Sequence, residues 1–201
     1  ANPKLLCFNN GVIDFETKSF RKGKPDDYIS KSTKISYIKL DISKHKTIMD
    51  EINDFMCKLF PEPDLRDYMW QHMASSLIGE NNDQTFNIYN GNGSNGKSKL
   101  VELMSACLGD YKATVPITLI TAKRNSIGST SSEVVQLKGV RYAVMQEPSK
   151  DAVINEGILK ELTGGDPIQA RALYSDSEIF EPQFSLVVCT NSLFEIKSND
   201  D

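Results

Sequence analysis

The segment Gly91-Asn92-Gly93-Ser94-Asn95-Gly96-Lys97-Ser98 fits the pattern G-x-x-x-x-G-K-[ST], and it constrains the fold more than any other stretch of the chain. A loop of this kind holds phosphate only when a strand delivers it and a helix leaves it. The inward-pointing backbone N–H groups and the helix N-terminus then make the anion site together. Both contexts are predicted. Phe86 to Tyr89 reads as a short apolar strand, and Ser98 to Leu108 reads as a helix. The eight residues 91–98, including Asn92, Ser94 and Asn95, form the candidate phosphate-binding set. In it the three glycines free the backbone to wrap an anion, Lys97 bridges terminal phosphates, and the Ser98 hydroxyl serves Mg2+. A Gly/Asn-rich surface turn explains the composition of this loop but not its flanking elements.

The rest of the chain fits a fold that carries such a loop. Beyond residue 84, short apolar strands alternate with helices, which is the signature of a mainly parallel α/β sheet. Val140 to Met145 and Phe184 to Cys189 read as buried strands, Ile154 to Leu162 as a helix, and Ile168 to Phe180 as a hairpin turning near Tyr174, Ser175 and Asp176. Upstream, Leu5–Phe8 and Val12–Phe15 flank an Asn-Asn-Gly turn, and a basic loop runs from Arg21 to Lys24. Helical spacing predicts one helix over 48–60, stopped by Pro61 and Pro63, and a second from Asp64 as N-cap to Ile78. The predicted organisation is a small α+β, largely helical region over 1–84 and a P-loop ATPase core over 85–201.

Composition narrows the classes. With 201 residues, 39% apolar and 25% charged, the chain is an ordinary globular one with no apolar run near the roughly 18 residues of a membrane span. Its net charge of −4 excludes an overall basic nucleic-acid binder. The charge is uneven, however: residues 1–50 hold ten Lys and Arg against six Asp and Glu. Cys7, Cys57, Cys107 and Cys189 are scattered without a CxxC pair, and only His45 and His72 accompany them. They read as core thiols rather than a zinc or redox site. The chain opens on Ala1 and closes on an Asn-Asp-Asp run, as expected of a piece of something longer.

Three further positions are candidates. Glu147 follows an apolar strand and would reach the C-terminal edge of the sheet to organise Mg2+ or polarise a water; the alternative is a solvent-facing glutamate. Gln146 stands beside it, where many such enzymes carry a second acid, and a neutral amide is a weak metal ligand. Asn191 ends another strand, suited to hold a γ-phosphate or simply to form a turn. His72 lies on a helical apolar stripe and reads as a packing histidine.

The order of these segments, with Leu162-Thr163-Gly164-Gly165-Asp166-Pro167 between Glu147 and Asn191, resembles the superfamily 3 helicases of DNA viruses and phages. The stretches 8–14 and 25–30 resemble the region that precedes the helicase domain in poxvirus-type primase-helicases. The resemblance implies an AAA+-like P-loop NTPase that hydrolyses ATP with Mg2+ at the subunit interfaces of a ring, expected to be a homo-hexamer, moving on single-stranded or forked DNA. It implies that residues 91–98 are motif A, that Glu147 ends motif B, and that Asn191 is the sensor of motif C. It also implies that Lys160, Arg171 and Tyr174 contact single-stranded DNA, although Arg171 and Tyr174 also fit a role inside the hairpin alone. A primase upstream, an arginine finger downstream and a cytoplasmic viral replication site are implied as well, with a nucleus or bacterial cytoplasm for relatives. Two other readings stand beside the motor: a P-loop small-molecule kinase, and a nucleotide-regulated assembly module with little catalysis.

Overall fold

A computed structural model describes residues 2–121, 131–146 and 153–193. The N-terminal region opens on an antiparallel meander of β1 (Leu5–Phe8), β2 (Gly11–Asp14) and β3 (Ser19–Arg21), with Phe8 paired to Gly11 across the predicted turn. Arg21, the first residue of the expected basic loop, is paired with carboxylates. Arg21 ends β3 and donates to Asp14 at 3.2 Å and in a fork to Asp27 at 2.9 Å, which holds the Asp27 carboxyl down at about 2.

Helix α1 (Ile42–Leu59) begins six residues before the predicted start, because the Asp41 carboxylate accepts the N–H groups of Ser43 and Lys44. Its later turns bury Met56, while Ile42 and Ile48 on the earlier turns stay exposed. Helix α2 (Pro63–Ser75) is capped by Glu62 rather than the expected Asp64, since Pro63 takes the first helical position, where no N–H is needed. It buries Met69, His72 and Met73.

The centre is a four-stranded parallel sheet in the order β4-β9-β6-β5, formed by β4 (Phe86–Asn90), β5 (Lys112–Thr114), β6 (Tyr142–Gln146) and β9 (Ser185–Thr190). Helix α3 (Lys97–Leu108) follows β4, and the short α4 (Thr118–Thr121) and α5 (Ser132–Val135) lie between β5 and β6. Helix α6 (Glu156–Thr163) and the antiparallel hairpin of β7 (Ile168–Arg171) and β8 (Ser177–Phe180) precede β9. The sheet is therefore an α/β layer with both faces covered, which explains why β6 and β9 read as unbroken apolar runs.

Alternate residues of those strands feed two cores. Ala143, Met145, Leu186 and Val188 pack with Ile120, Leu162, Ile168 and Phe180. Tyr142, Val144 and Val187 pack with Leu100, Met104 and Leu108, and this second core also takes in Leu6, Met56, Met69 and Met73. The N-terminal region thus shares a core with the sheet. All four cysteines are free, and the expectation of four core thiols is corrected: Cys189 is buried, Cys7 is half-buried, and Cys57 and Cys107 are exposed. No described helix is long and apolar enough to cross a membrane.

Candidate functional site

Parallel strands end at one edge, and the crevice beyond their C-terminal ends is where ligands of open α/β sheets sit. Here β4 delivers Asn90 to the 91–96 loop, β6 delivers Gln146, and β9 delivers Thr190 and Asn191. The loop is tied at both ends. Its first N–H, on Gly91, donates to the Thr190 carbonyl at 3.2 Å, and the Gly96 carbonyl accepts the Leu100 N–H that opens α3. Gly96 needs to be glycine: its φ is 85°, and a Cβ there would stand 2.6 Å from Leu59 Cδ1 at the end of α1. The N-terminal region therefore buttresses the loop directly.

Residues 93–99, Gln146 and 189–191 line a cleft of about 440 Å3. At its floor the Lys97 ammonium donates to the Gly91 carbonyl at 2.5 Å, to Asn95 Oδ1 at 3.0 Å and to Asn191 Oδ1 at 3.2 Å. All three acceptors are neutral, and no carboxylate lines the described part of the cleft. A cation held only by neutral oxygens keeps its charge available for an anion, so the donor set fits a polyphosphate. Ser98 lies on the same wall, on the first turn of α3. Burial pushes the Cys189 thiol up against the opposing pull of Lys97 and Lys112, so it contributes a neutral wall.

The structure brings residues 93–98, Gln146 and Asn191 together around this cleft, and the Gly91 carbonyl reaches Lys97 from the start of the loop. Asn92 lies on the loop, exposed, and is not a lining residue. Glu147 falls outside the described residues. Lys160, Arg171 and Tyr174 do not line the cleft. Lys160 is exposed on α6 with Glu156 at 3.9 Å. Arg171 ends β7 and donates from Nε to the Ser175 carbonyl at 3.0 Å, a contact within the hairpin. Tyr174 sits in the hairpin turn at φ 58° and is 95% exposed, with Leu173 and Ile179 also exposed.

One positioning residue was not singled out in the sequence. Thr190 is buried, its hydroxyl donates to the Ser192 carbonyl at 2.5 Å and accepts the Ser192 N–H, and this turn presents Asn191 to Lys97. The Thr-Asn-Ser sequence is the available signal, since a threonine hydroxyl commonly closes such a turn two residues on.

Comparison with known families places the chain. Residues 1–74 match the family described as D5 N terminal like, and residues 89–201 match the family of unknown function DUF5906. The chain belongs to the DUF5906 family. Its DUF5906 segment carries the loop, Asn191 and the hairpin. Over 200 residues the chain is 42% identical to a protein of Acanthamoeba polyphaga mimivirus named "Putative helicase", covering 100% of this chain and 21% of that protein. A second viral protein of the same name, from Invertebrate iridescent virus 3, is 35% identical over 196 residues, covering 96% of this chain and 21% of its own length. The chain therefore spans about a fifth of the curated relatives it matches. Among solved structures it is similar to the apo C-terminal region of NrS-1, with a TM-score of 0.58 at 12% identity, over 84% of this chain and 38% of that one. That likeness speaks for the fold alone.

Proposed function

We propose that this chain is the ATP-hydrolysing motor segment of a viral replication protein of the primase-helicase type, with superfamily 3 character. The observation that carries the reading is Lys97, held by neutral oxygens at the floor of the cleft with Asn191 from β9 at 3.2 Å. The names of the viral relatives support the helicase class. In this reading the N–H groups of residues 91–98 and the α3 N-terminus receive the phosphates, and Lys97 bridges the terminal ones. Asn191 holds the γ-phosphate or its attacking water, and Glu147 polarises that water. Mg2+, when bound, would supply charge neutralisation, and Ser98 and Glu147 would hold it beside the neutral Gln146.

The exposed tip of the β7–β8 hairpin supports the DNA half of the reading. Tyr174 at this tip offers a stacking ring, and Arg171 at the end of β7 and exposed Lys160 on α6 offer two cations. That combination tracks single-stranded DNA without reading its sequence. A homo-hexameric ring, an arginine supplied by the neighbouring subunit, a primase upstream and a cytoplasmic viral replication site complete the proposal.

The test is ATP binding and turnover in the full-length protein. Lys97→Ala abolishes productive binding, whereas Glu147→Gln retains binding and lowers turnover by at least about 100-fold. Undiminished turnover in Glu147→Gln would remove Glu147 from its role. ATP-dependent assembly of the wild type without any turnover would favour the assembly module over the motor.

A further inference from the structure

The three acceptors around Lys97 differ in how they can respond to an incoming anion. Gly91 contributes a backbone carbonyl, and its own N–H ties that backbone to Thr190 at 3.2 Å. Asn191 contributes a side chain, likewise on an exposed residue, whose backbone is carried by the turn that the buried Thr190 hydroxyl closes. Asn95 contributes a side chain on an exposed residue, free to rotate away without moving the main chain. That side chain is nonetheless folded back across the loop. Its Nδ2 stands 1.8 Å from where a Cβ on Gly91 would lie, while its Oδ1 accepts from Lys97 at 3.0 Å. Ser94, just before it, has a φ of 62°, the left-handed conformation that non-glycine residues adopt sparingly. The loop thus turns at Ser94 and returns the Asn95 amide over its own interior.

An ammonium has three protons to donate, and all three are engaged here. A phosphate oxygen therefore gains Lys97 only by displacing one acceptor; Asn95 and Asn191 are the two whose release leaves the backbone in place, and Asn95 is the one that lies within the phosphate-binding loop itself. We infer that Asn95 is a latch on Lys97: its amide competes with the terminal phosphates for the ammonium, and so sets how tightly the loop holds a polyphosphate. The inference rests on the proposed nucleotide site and extends it. Asn95 is a positioning residue that acts through Lys97, and it opposes binding where its neighbours in the loop favour it.

The opposite sign makes the test sharp. Equilibrium binding is measured on the full-length protein with two probes, ATP and inorganic tripolyphosphate, for the wild type, Asn95→Ala and Asn95→Asp, with thermal melts to establish folding. Asn95→Ala is expected to tighten both probes by about three- to tenfold, the net worth of one ordinary hydrogen bond at an exposed contact. Asn95→Asp, which gives Lys97 an ionic partner, is expected to weaken both by more than tenfold. Equal gains for the two probes place the effect at the phosphate end. Unchanged or weaker binding in Asn95→Ala, with the wild type binding ATP, overturns the latch and leaves the proposed site standing. A folded wild type that binds neither probe overturns the proposed site and the latch with it.

Discussion

Arg141 is 1% exposed, yet none of its described partners is a carboxylate. Its guanidinium donates to the carbonyls of Leu77, Pro3 and Leu5, and lies 4.6 Å over the Tyr111 ring. Burial lowers its pKa to about 10, so it stays charged at neutral pH and fastens the chain start and the end of α2 to the root of β6. Arg141→Met is expected to lower unfolding stability by about 2–4 kcal/mol, because the carbonyls of Leu77 and Leu5 lose the guanidinium donor in a dry site while Pro3 keeps the Gly79 N–H. A denaturant titration checks this, with a shifted midpoint at an unchanged slope. His72 makes the complementary case. Tyr142 donates to the Tyr89 hydroxyl at 3.3 Å, and Tyr89 lies 2.8 Å from His72 Nε2, an arrangement that suits an unprotonated ring nitrogen. Burial pushes the His72 pKa down. The unfolded chain then takes up a proton near pH 6.5 that the folded chain refuses, so this contribution is present above about pH 6.5 and lost as pH falls below it. Melting midpoints are expected to fall between pH 7 and 5.5 in the wild type, and less so in His72→Gln; equal slopes in both would contradict the assignment.

At the scale of elements, what was legible followed the local rules. The Asn-Asn-Gly turn, three of the four strands of the sheet and the 168–180 hairpin were readable because each has an apolar run bounded by turn formers. The loop was readable because its chemistry demands particular residues at fixed spacing. The start of α1 was not, since Asp41 caps a first turn whose apolar residues remain exposed, so the inward stripe begins only later. Strand β5 and helices α4 and α5 escaped because three or four residues are too few to show a period. Arg21 looked like part of a solvated basic loop, and only the meander reveals Asp14 and Asp27 on either side of it. The Lys97–Asn191 contact joins residues 94 apart, and the sequence suggested the pair only through a motif order.

For the whole molecule, the N-terminal region is joined to the sheet at several points rather than tethered to it. Leu6, Met56 and Met69 complete one of the two cores, Leu59 touches the loop at Gly96, and Arg141 holds residues 3 and 5. The strap at 31–34 is pinned as well: Ser32 exchanges hydrogen bonds with Asp110, and Lys34 lies 2.7 Å from the same carboxylate. The phosphate loop thus packs on the end of α1, and the hairpin stands apart from the cleft with its tyrosine in solvent. The proposed motor needs those two regions to communicate, with nucleotide at the loop and DNA at the hairpin. The most direct measurement is ATP hydrolysis by the full-length protein with and without single-stranded DNA, beside its Tyr174→Ala variant. The account predicts DNA-stimulated turnover in the wild type. It also predicts an unstimulated rate preserved in Tyr174→Ala, with about a tenfold higher DNA concentration needed for stimulation. Turnover indifferent to DNA in the wild type would contradict it.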